Sequence, residues 1–251
     1  MFQVKNLTLN YGSKLILDDV NFEVNQNDWY MVVGPNGAGK TSIVRAISGA
    51  VPYSGMIEYQ GKDIQTLSSK EKAKRIGVLT QHHNPIYHYS VEEIVELGRY
   101  AHKKGLFGHM TKEDIEKVDE AIQITGLEKH RYSSILSLSG GELQRVFLAQ
   151  IIAQDPNIII LDEPANHLDL AYQEQIFKTI QEWVKEPGRC VISIIHDLSV
   201  AKFFGNRGLL LNNTRVISEG EIDCVLNTKS LEKAYGVDVE KLMHDRYALW
   251  V

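Results

Sequence analysis

Three short stretches combine residue types whose spacing points to phosphate chemistry. Gly34-Pro35-Asn36-Gly37-Ala38-Gly39-Lys40-Thr41 fits the pattern Gly-x-x-x-x-Gly-Lys-Ser/Thr and is followed by Ser42. Its glycines let backbone N–H groups turn inward around phosphate oxygens, and a helix opening at Lys40 aims its positive end at them. Lys40 adds a point charge, and the Thr41 hydroxyl is a ligand for Mg²⁺. Residues 158–161 are four consecutive apolar residues that end in Asp162 and Glu163, as in a buried strand delivering acids to its C-terminal edge, where open α/β sheets bind ligands. Asp162 suits Mg²⁺, directly or through water, and Glu163 suits a base that orients or deprotonates water for in-line attack on a γ-phosphate. Leu138-Ser139-Gly140-Gly141-Glu142, followed by Gln144 and an amphipathic stretch through Ala153, is a Ser-Gly-Gly turn at a helix start and thus a second anion site.

A phosphate-binding turn works only between a strand that feeds it and a helix that leaves it. Residues 29–33, rich in β-branched and aromatic types, read as that strand, with further strands at 2–9 and 21–24 and a turn at Tyr11-Gly12-Ser13. Ile43, Val44 and Ile47, with a stop at Gly49, give the helix one apolar face. From about 81 to 153 the period turns helical through Val91, Ile94, Val95 and Leu97, then Ile115, Val118, Ala121 and Ile122, then Leu143, Val146, Phe147 and Ala149. Between the first two of these helices, residues 101–110 have no clear period and are expected to form an exposed, mobile loop. Short apolar runs at 158–161 and 191–195, separated by a helix over 170–184, imply a parallel sheet. A hairpin is expected at 208–211 and 215–218 about Asn212-Asn213, then a helix near 228–235 and a strand-like stretch to Trp250. There is no internal repeat.

The intact Leu-Ser-Gly-Gly-Glu run just before the Asp-Glu strand, with the glycine turn upstream of both, resembles the ATP-binding-cassette (ABC) ATPases over essentially the whole chain. The resemblance implies an α/β fold: a P-loop NTPase core, with a RecA-like parallel sheet and an N-terminal antiparallel β-subdomain, plus an inserted helical signature subdomain. It implies one ABC ATPase domain over 1–251, with 1–80 and 154–251 as the nucleotide-binding core and 81–153 as the helical part. ATP and Mg²⁺ are the implied cofactors. Tyr11 looks like the aromatic that stacks on adenine. Gln81 looks like the Q-loop glutamine, with a catalytic and metal-binding role, and residues 165–169, ending in Asp169, look like the D-loop. His196 looks like the switch histidine that hydrogen-bonds the γ-phosphate. A head-to-tail, ATP-dependent homodimer is implied, each ATP lying between residues 34–42 of one chain and 139–142 of the other. His82, His83 and His88, with Tyr87 and Tyr89, are too irregularly spaced for a metal site. In this family that surface receives the coupling helix of a transmembrane permease. His102, His109 and His130 form no interpretable arrangement.

Composition narrows the partners. With 27 Lys plus Arg against 32 Asp plus Glu, the net charge of −5 gives no basic field for nucleic acid. Cys190 and Cys224 lack disulfide-scaffold or zinc spacing, which fits a reducing cytosol. No run approaches the about 20 apolar residues of a membrane helix, and the start lacks the features of a secretory signal. Any membrane role therefore needs a separate partner, and the resemblance to ABC ATPases implies a place at the cytoplasmic face of the membrane, held there through the permease.

Finer resemblance comes from Ser90-Val-Glu-Glu-Ile-Val-Glu-Leu-Gly-Arg99-Tyr100 and from Ala234-Tyr-Gly-Val-Asp238. These look like importer ATPases for iron chelates, haem or vitamin B12, which act with a permease and, indirectly, an extracytoplasmic substrate-binding protein. Ala101 stands where the commonest siderophore form has Pro. The alternatives are a soluble cassette such as the iron–sulfur cluster assembly ATPase, an ATPase for a different metal-ion transporter, and an exporter subunit. The interval between Thr41 and Ser139 holds no sustained heptads, unlike DNA-repair cassettes.

Overall fold

The protein is seen in a computed structural model that describes residues 1–80, 86–103, 109–165 and 168–248. In chain order its elements are β1 (Phe2–Tyr11), β2 (Lys14–Val24), β3 (Trp29–Val33), α1 (Lys40–Ile47), β4 (Ser54–Tyr59), β5 (Lys62–Asp63), α2 (Ser69–Arg75), β6 (Ile76–Leu79), α3 (Val91–Leu97) and α4 (Lys112–Ile124). They continue with α5 (Gly140–Gln154), β7 (Ile158–Asp162), α6 (Leu170–Val184), β8 (Cys190–Ile194), α7 (Leu198–Phe204), β9 (Arg207–Asn212), β10 (Arg215–Glu221), α8 (Ile222–Val225), α9 (Thr228–Tyr235) and α10 (Val239–Tyr247). The chain forms two compact units, one of Met1–Gln65 with Ile192–Val251, the other of Thr66–Val191.

The first unit contains a four-stranded antiparallel sheet in the order β2-β1-β4-β5. β1 buries Phe2 and Val4, then Leu7 and Leu9; its period of two slips once, at the break in pairing between Val4 and Leu7, where Asn6 has a φ of 51°. β3 is apolar throughout and buried at all five positions, the signature of a strand covered on both faces. It runs parallel to β9, with Val33 opposite Leu210, and the Ile195 N–H just beyond β8 donates to the Val32 carbonyl at 3.3 Å. The β9–β10 hairpin turns on Asn213-Thr214, one residue later than expected. Both turn residues have positive φ, 46° and 72°, which matches the twist of the paired strands.

The C-terminal expectation is corrected by the structure. In place of a final strand, residues Val239–Tyr247 form α10, and Asp238 caps it by accepting the Lys241 N–H at 2.9 Å. A local side-chain acceptor for an otherwise unpaired helix N–H outweighs the strand-like spacing of apolar residues there.

The second unit holds the parallel pair β6 and β7, with Ile76 opposite Ile158, and a set of helices. Four of them, α2, α3, α4 and α5, open with a capping box: Ser68 with Glu71, Ser90 with Glu93, Thr111 with Asp114, and Ser139 with Glu142. α3 is followed by a 3₁₀ turn, Gly98–His102, in which His102 Nε2 lies 2.9 Å from the Gln154 carbonyl. The expected mobile loop at 101–110 therefore begins as ordered structure, and residues 104–108 lie outside the described residues.

Arg99 ties this unit together. Its Nε donates to Asp114 Oδ1 at 2.8 Å and its Nη1 to the Ala153 carbonyl at 2.8 Å, joining the end of α3 to the start of α4 and the end of α5. Both side chains of the pair are 4% exposed. Burial pushes the Asp114 carboxyl up, but hydrogen bonds from the Thr111 N–H and hydroxyl and from Arg99 outweigh it and hold the pKa down to about 2. A depressed folded-state pKa contributes stability that is present above the unfolded value of 3.8 and is lost as pH falls from there through about 2. Asp114→Ala is expected to lower unfolding stability at neutral pH by about 3–5 kcal/mol, because it strands the buried Arg99 charge. Denaturant unfolding followed from pH 7 to pH 2 is expected to show that deficit shrinking toward the acid end.

Candidate functional site

The sequence-predicted site residues fall on both units. On the first, β3 runs into the turn at Gly34, whose φ of 147° is closed to side-chain-bearing residues. A Cβ there would lie 2.2 Å from the Leu211 carbonyl oxygen at the end of β9, so this contact requires glycine. Lys40 is buried, and its Nζ donates to the carbonyls of Gly34 at 2.8 Å and Pro35 at 3.0 Å, folding the ammonium back across the turn. The turn is closed by the Ala38 N–H to Pro35 at 3.2 Å, and α1 begins from Gly39 with the Ser42 N–H to the Gly39 carbonyl at 3.0 Å. The result is a strand, a glycine turn and a helix N-terminus in the order an anion cradle needs.

Tyr11, at the end of β1, is brought to the same helix. Arg45 Nη1 donates to its hydroxyl at 3.3 Å, and this bond, with one from Ser42, lowers the phenol pKa. Tyr11 is 41% exposed, so the residue is accessible to a planar ligand. His196 is exposed just after β8 and follows the Ile195 N–H bond to β3, the strand that feeds the turn. α7 is capped by Asp197, which accepts the Ser199 N–H at 2.8 Å, so His196 has no capping duty.

On the second unit, Ser139 caps α5. Its Oγ accepts the Glu142 N–H at 3.3 Å, while Glu142 Oε2 accepts the Ser139 N–H at 2.8 Å and its hydroxyl at 2.9 Å. The bonds from Ser139 hold the Glu142 carboxyl below the ordinary carboxylate range. Its other oxygen, Oε1, is 3.3 Å from His130 Nε2, which gives a structural setting to a histidine without a role in the sequence. Ser139 and Gly140 are exposed at the tip. Gly141 is buried, and a Cβ on it would lie 3.1 Å from the Tyr172 ring.

The segment after β7 is fixed to this helix and to α6. Asp162 is buried, and Glu163 sits at a left-handed φ of 55°, a strained conformation of the kind that clusters at functional positions. Gln144 Nε2 donates to the Pro164 carbonyl at 3.1 Å. Gln173 Nε2 donates to Ala165 at 3.2 Å and to Leu168 at 3.0 Å. Asp169 caps α6 by accepting the Tyr172 N–H at 3.0 Å. Gln81, His82, His83, Asn166 and His167 lie outside the described residues. Sequence reasoning passed over Arg45, Gln173 and Tyr172 as participants. The regular helices they sit on carry no local mark of a distant partner.

Residues 17–166 match the ABC transporter family. The chain belongs to the ABC transporter ATP-binding domains. The cassette is 33% identical over 243 residues to the uncharacterized ABC transporter ATP-binding protein YvrA of Bacillus subtilis (strain 168). That is 96% of this chain, which spans 55% of YvrA. It is 32% identical over 234 residues to the ferric enterobactin transport ATP-binding protein FepC of Escherichia coli (strain K12), 93% of this chain and 86% of that protein. Among solved structures it is similar to the dimeric bacterial ABC transporter cassette MJ0796, with a TM-score of 0.78 and 28% identity over 88% of this chain and 99% of that one. The cassette thus has the α/β P-loop NTPase fold expected from its motifs.

The contact between Gly34 and Leu211 separates two glycines of one turn. Gly34→Ala is expected to destabilise the cassette by about 1–3 kcal/mol through overpacking. At Gly37, where a Cβ meets nothing within 4 Å and φ is 79°, alanine is expected to cost only the left-handed backbone, about 1 kcal/mol. Denaturant midpoints of the two variants check the order.

Proposed function

We propose that the cassette is the ATP-hydrolysing subunit of an importer for an iron chelate, haem or vitamin B12, working with a separate membrane permease. The observation that carries this reading is the presence of two helix-start anion turns, 34–42 and 139–142, in one chain whose relatives include proteins named as ferric enterobactin transport, hemin import and cobalamin import ATP-binding proteins.

In this reading residues 1–80 and 154–251 act as the nucleotide-binding core, with 81–153 as the helical signature part. Backbone N–H groups of Gly34, Pro35-Asn36-Gly37-Ala38-Gly39 and Ser42 surround the phosphates as far as each has an N–H, and the Lys40 ammonium exchanges its carbonyl partners for phosphate oxygens. Tyr11 stacks on the base. The Glu163 carboxylate takes a proton from water as its oxygen attacks the γ-phosphorus and the bond to the β-phosphate bridging oxygen breaks, releasing ADP. His196 and Gln81 steady the γ-phosphate and the attacking water. The Thr41 hydroxyl, the Asp162 carboxylate and the Gln81 amide oxygen are hard oxygen donors of the kind Mg²⁺ takes, so these residues fit the ion, which when bound neutralises phosphate charge.

Ser139, Gly140, Gly141 and Glu142 of a second copy, with its Asp169 at the D-loop, complete the site in a head-to-tail homodimer. No helix among the described residues is long and apolar enough to cross a membrane. In this reading the cassette sits at the cytoplasmic face through its permease. Ile86, Tyr87, Tyr89 and Tyr100 are exposed on the second unit, apolar surface suited to that partner. An extracytoplasmic substrate-binding protein completes the transporter, and nucleic acid has no part in it.

Tagged Glu163→Gln protein, captured from native membranes in detergent with ATP and Mg²⁺, is expected to bring down a polytopic permease and its extracytoplasmic binding protein. Capture of soluble scaffold proteins alone would move the cassette to a non-transport role.

A further inference from the structure

The two tips that a head-to-tail dimer would lend to the partner's nucleotide, the Ser139 turn and Asp169, meet one aromatic side chain. Ser139 opens α5 and Asp169 opens α6, and each accepts a backbone N–H of its own helix, that of Glu142 at 3.3 Å and that of Tyr172 at 3.0 Å. Capping fixes each tip to its own helix and leaves the spacing between the two helices free. Tyr172, in the first turn of α6, is the residue that crosses between them.

Its ring lies against Gly141. A Cβ on Gly141 would be 3.1, 3.3 and 3.5 Å from the ring carbons Cδ2, Cγ and Cε2. Three neighbouring carbons at nearly one distance place Gly141 over the face of the ring and not at its edge. One turn further along α5, on the same side of the helix, Arg145 Cζ stands 5.1 Å from the ring centroid. Arg145 is buried, and its Nη1 donates to the carbonyls of Thr125 at 3.0 Å and Gly126 at 3.2 Å, just past the end of α4. Its Nε finds no acceptor among the described residues, so the face of the guanidinium is left to the ring. The ring thus meets the start of α5 and a buried, anchored cation, while the N–H of the same residue is held by Asp169.

We propose that Tyr172 is a positioning residue for the shared nucleotide site: its ring holds the start of α5 against the start of α6, so that Ser139 and Asp169 are presented to a second copy at one fixed spacing. The proposal rests on the reading that residues 139–142 and Asp169 complete the site of a partner copy. Both contacts use the ring and neither uses the hydroxyl. Nucleotide on the same chain is held by the Gly34 turn, which Tyr172 does not serve.

The test places Tyr172→Leu and Tyr172→Phe in the full chain, alongside Ser139→Arg. ATP-dependent dimerisation is read by sedimentation in the Glu163→Gln background, affinity for a fluorescent ADP on dilute chains, and kcat and KM with Glu163 intact. Tyr172→Leu is expected to weaken the dimer and lower kcat about three- to tenfold, the size of one contact between a cation and a ring, with ADP affinity unchanged. Tyr172→Phe, which keeps the ring, is expected to restore both. A Leu variant that dimerises normally, a Phe variant as weak as Leu, or an ADP affinity that falls in step with dimerisation overturns the proposal. A dimer indifferent to Ser139→Arg overturns instead the shared-site reading beneath it. A dimer lost in Ser139→Arg but untouched in Tyr172→Leu removes the tyrosine alone. If the Leu variant does not fold, the proton spectrum of the unaltered chain decides: the Gly141 Hα facing the ring is expected upfield of its ordinary position through the ring current, and an unshifted Hα overturns the proposal.

Discussion

The close approach of the Leu211 carbonyl to Gly34 is the constraint on which the first unit depends. It requires a residue without a Cβ where β3 ends, and it requires β9 to run alongside β3 with Leu210 opposite Val33. A strand buried on both faces can hold that register because every residue of β3 is apolar, so a slip of one position would leave it without its packing partners. From Gly34 onward the backbone passes through positive φ at Gly34, Gly37 and Gly39 into α1, and Lys40 folds back across the turn. The hairpin continues from β9, and α9 packs on both of its strands.

The second unit solves a different problem, which is to present polar groups at exposed tips without letting them wander. Capping boxes start four of its helices, so the Ser139 turn is set by the same reciprocal bonds that start α2, α3 and α4. Its tip is exposed while its base is packed: Gly141 lies under the Tyr172 ring, and the Arg145 guanidinium stands 5.1 Å from the same ring. Gln144 and Gln173 hold the backbone after Glu163 by its carbonyls, which leaves the side chains of that segment to other uses. The strained backbone of Glu163 is sustained because the residues after it are held in this way and Asp162 before it is buried at the end of β7.

Where burial and period coincide, the sequence was sufficient. The bounds of β3, α6 and α9 are those that apolar runs, helical period and a following glycine indicate, and the three phosphate motifs sit on strand ends and helix starts as their chemistry demands. It was insufficient where a local device or a distant partner decides. α2, with the sequence Ser-Lys-Glu-Lys-Ala-Lys-Arg, has no buried residue and hence no apolar period, and only the Ser68 and Glu71 cap betrays it. β4 and β5 are formed by pairing with strands far earlier in the chain or across a tight turn. α10 hides a helix cap at Asp238 within spacing that reads as a strand. In the site, Arg45 and Gln173 look like ordinary helix residues, because what makes each of them matter is a ring hydroxyl or a backbone carbonyl brought to it by folding.

The central claim is that the Gly34 turn of one chain and the Ser139 turn of another share one nucleotide. The most direct measurement is sedimentation of Glu163→Gln protein with and without ATP and Mg²⁺, repeated after adding Ser139→Arg. The account predicts that ATP doubles the mass of the first protein from 28.4 kDa and leaves the second monomeric though it still binds nucleotide. A nucleotide-bound chain that stays monomeric in both, or a dimer indifferent to Ser139→Arg, would contradict it.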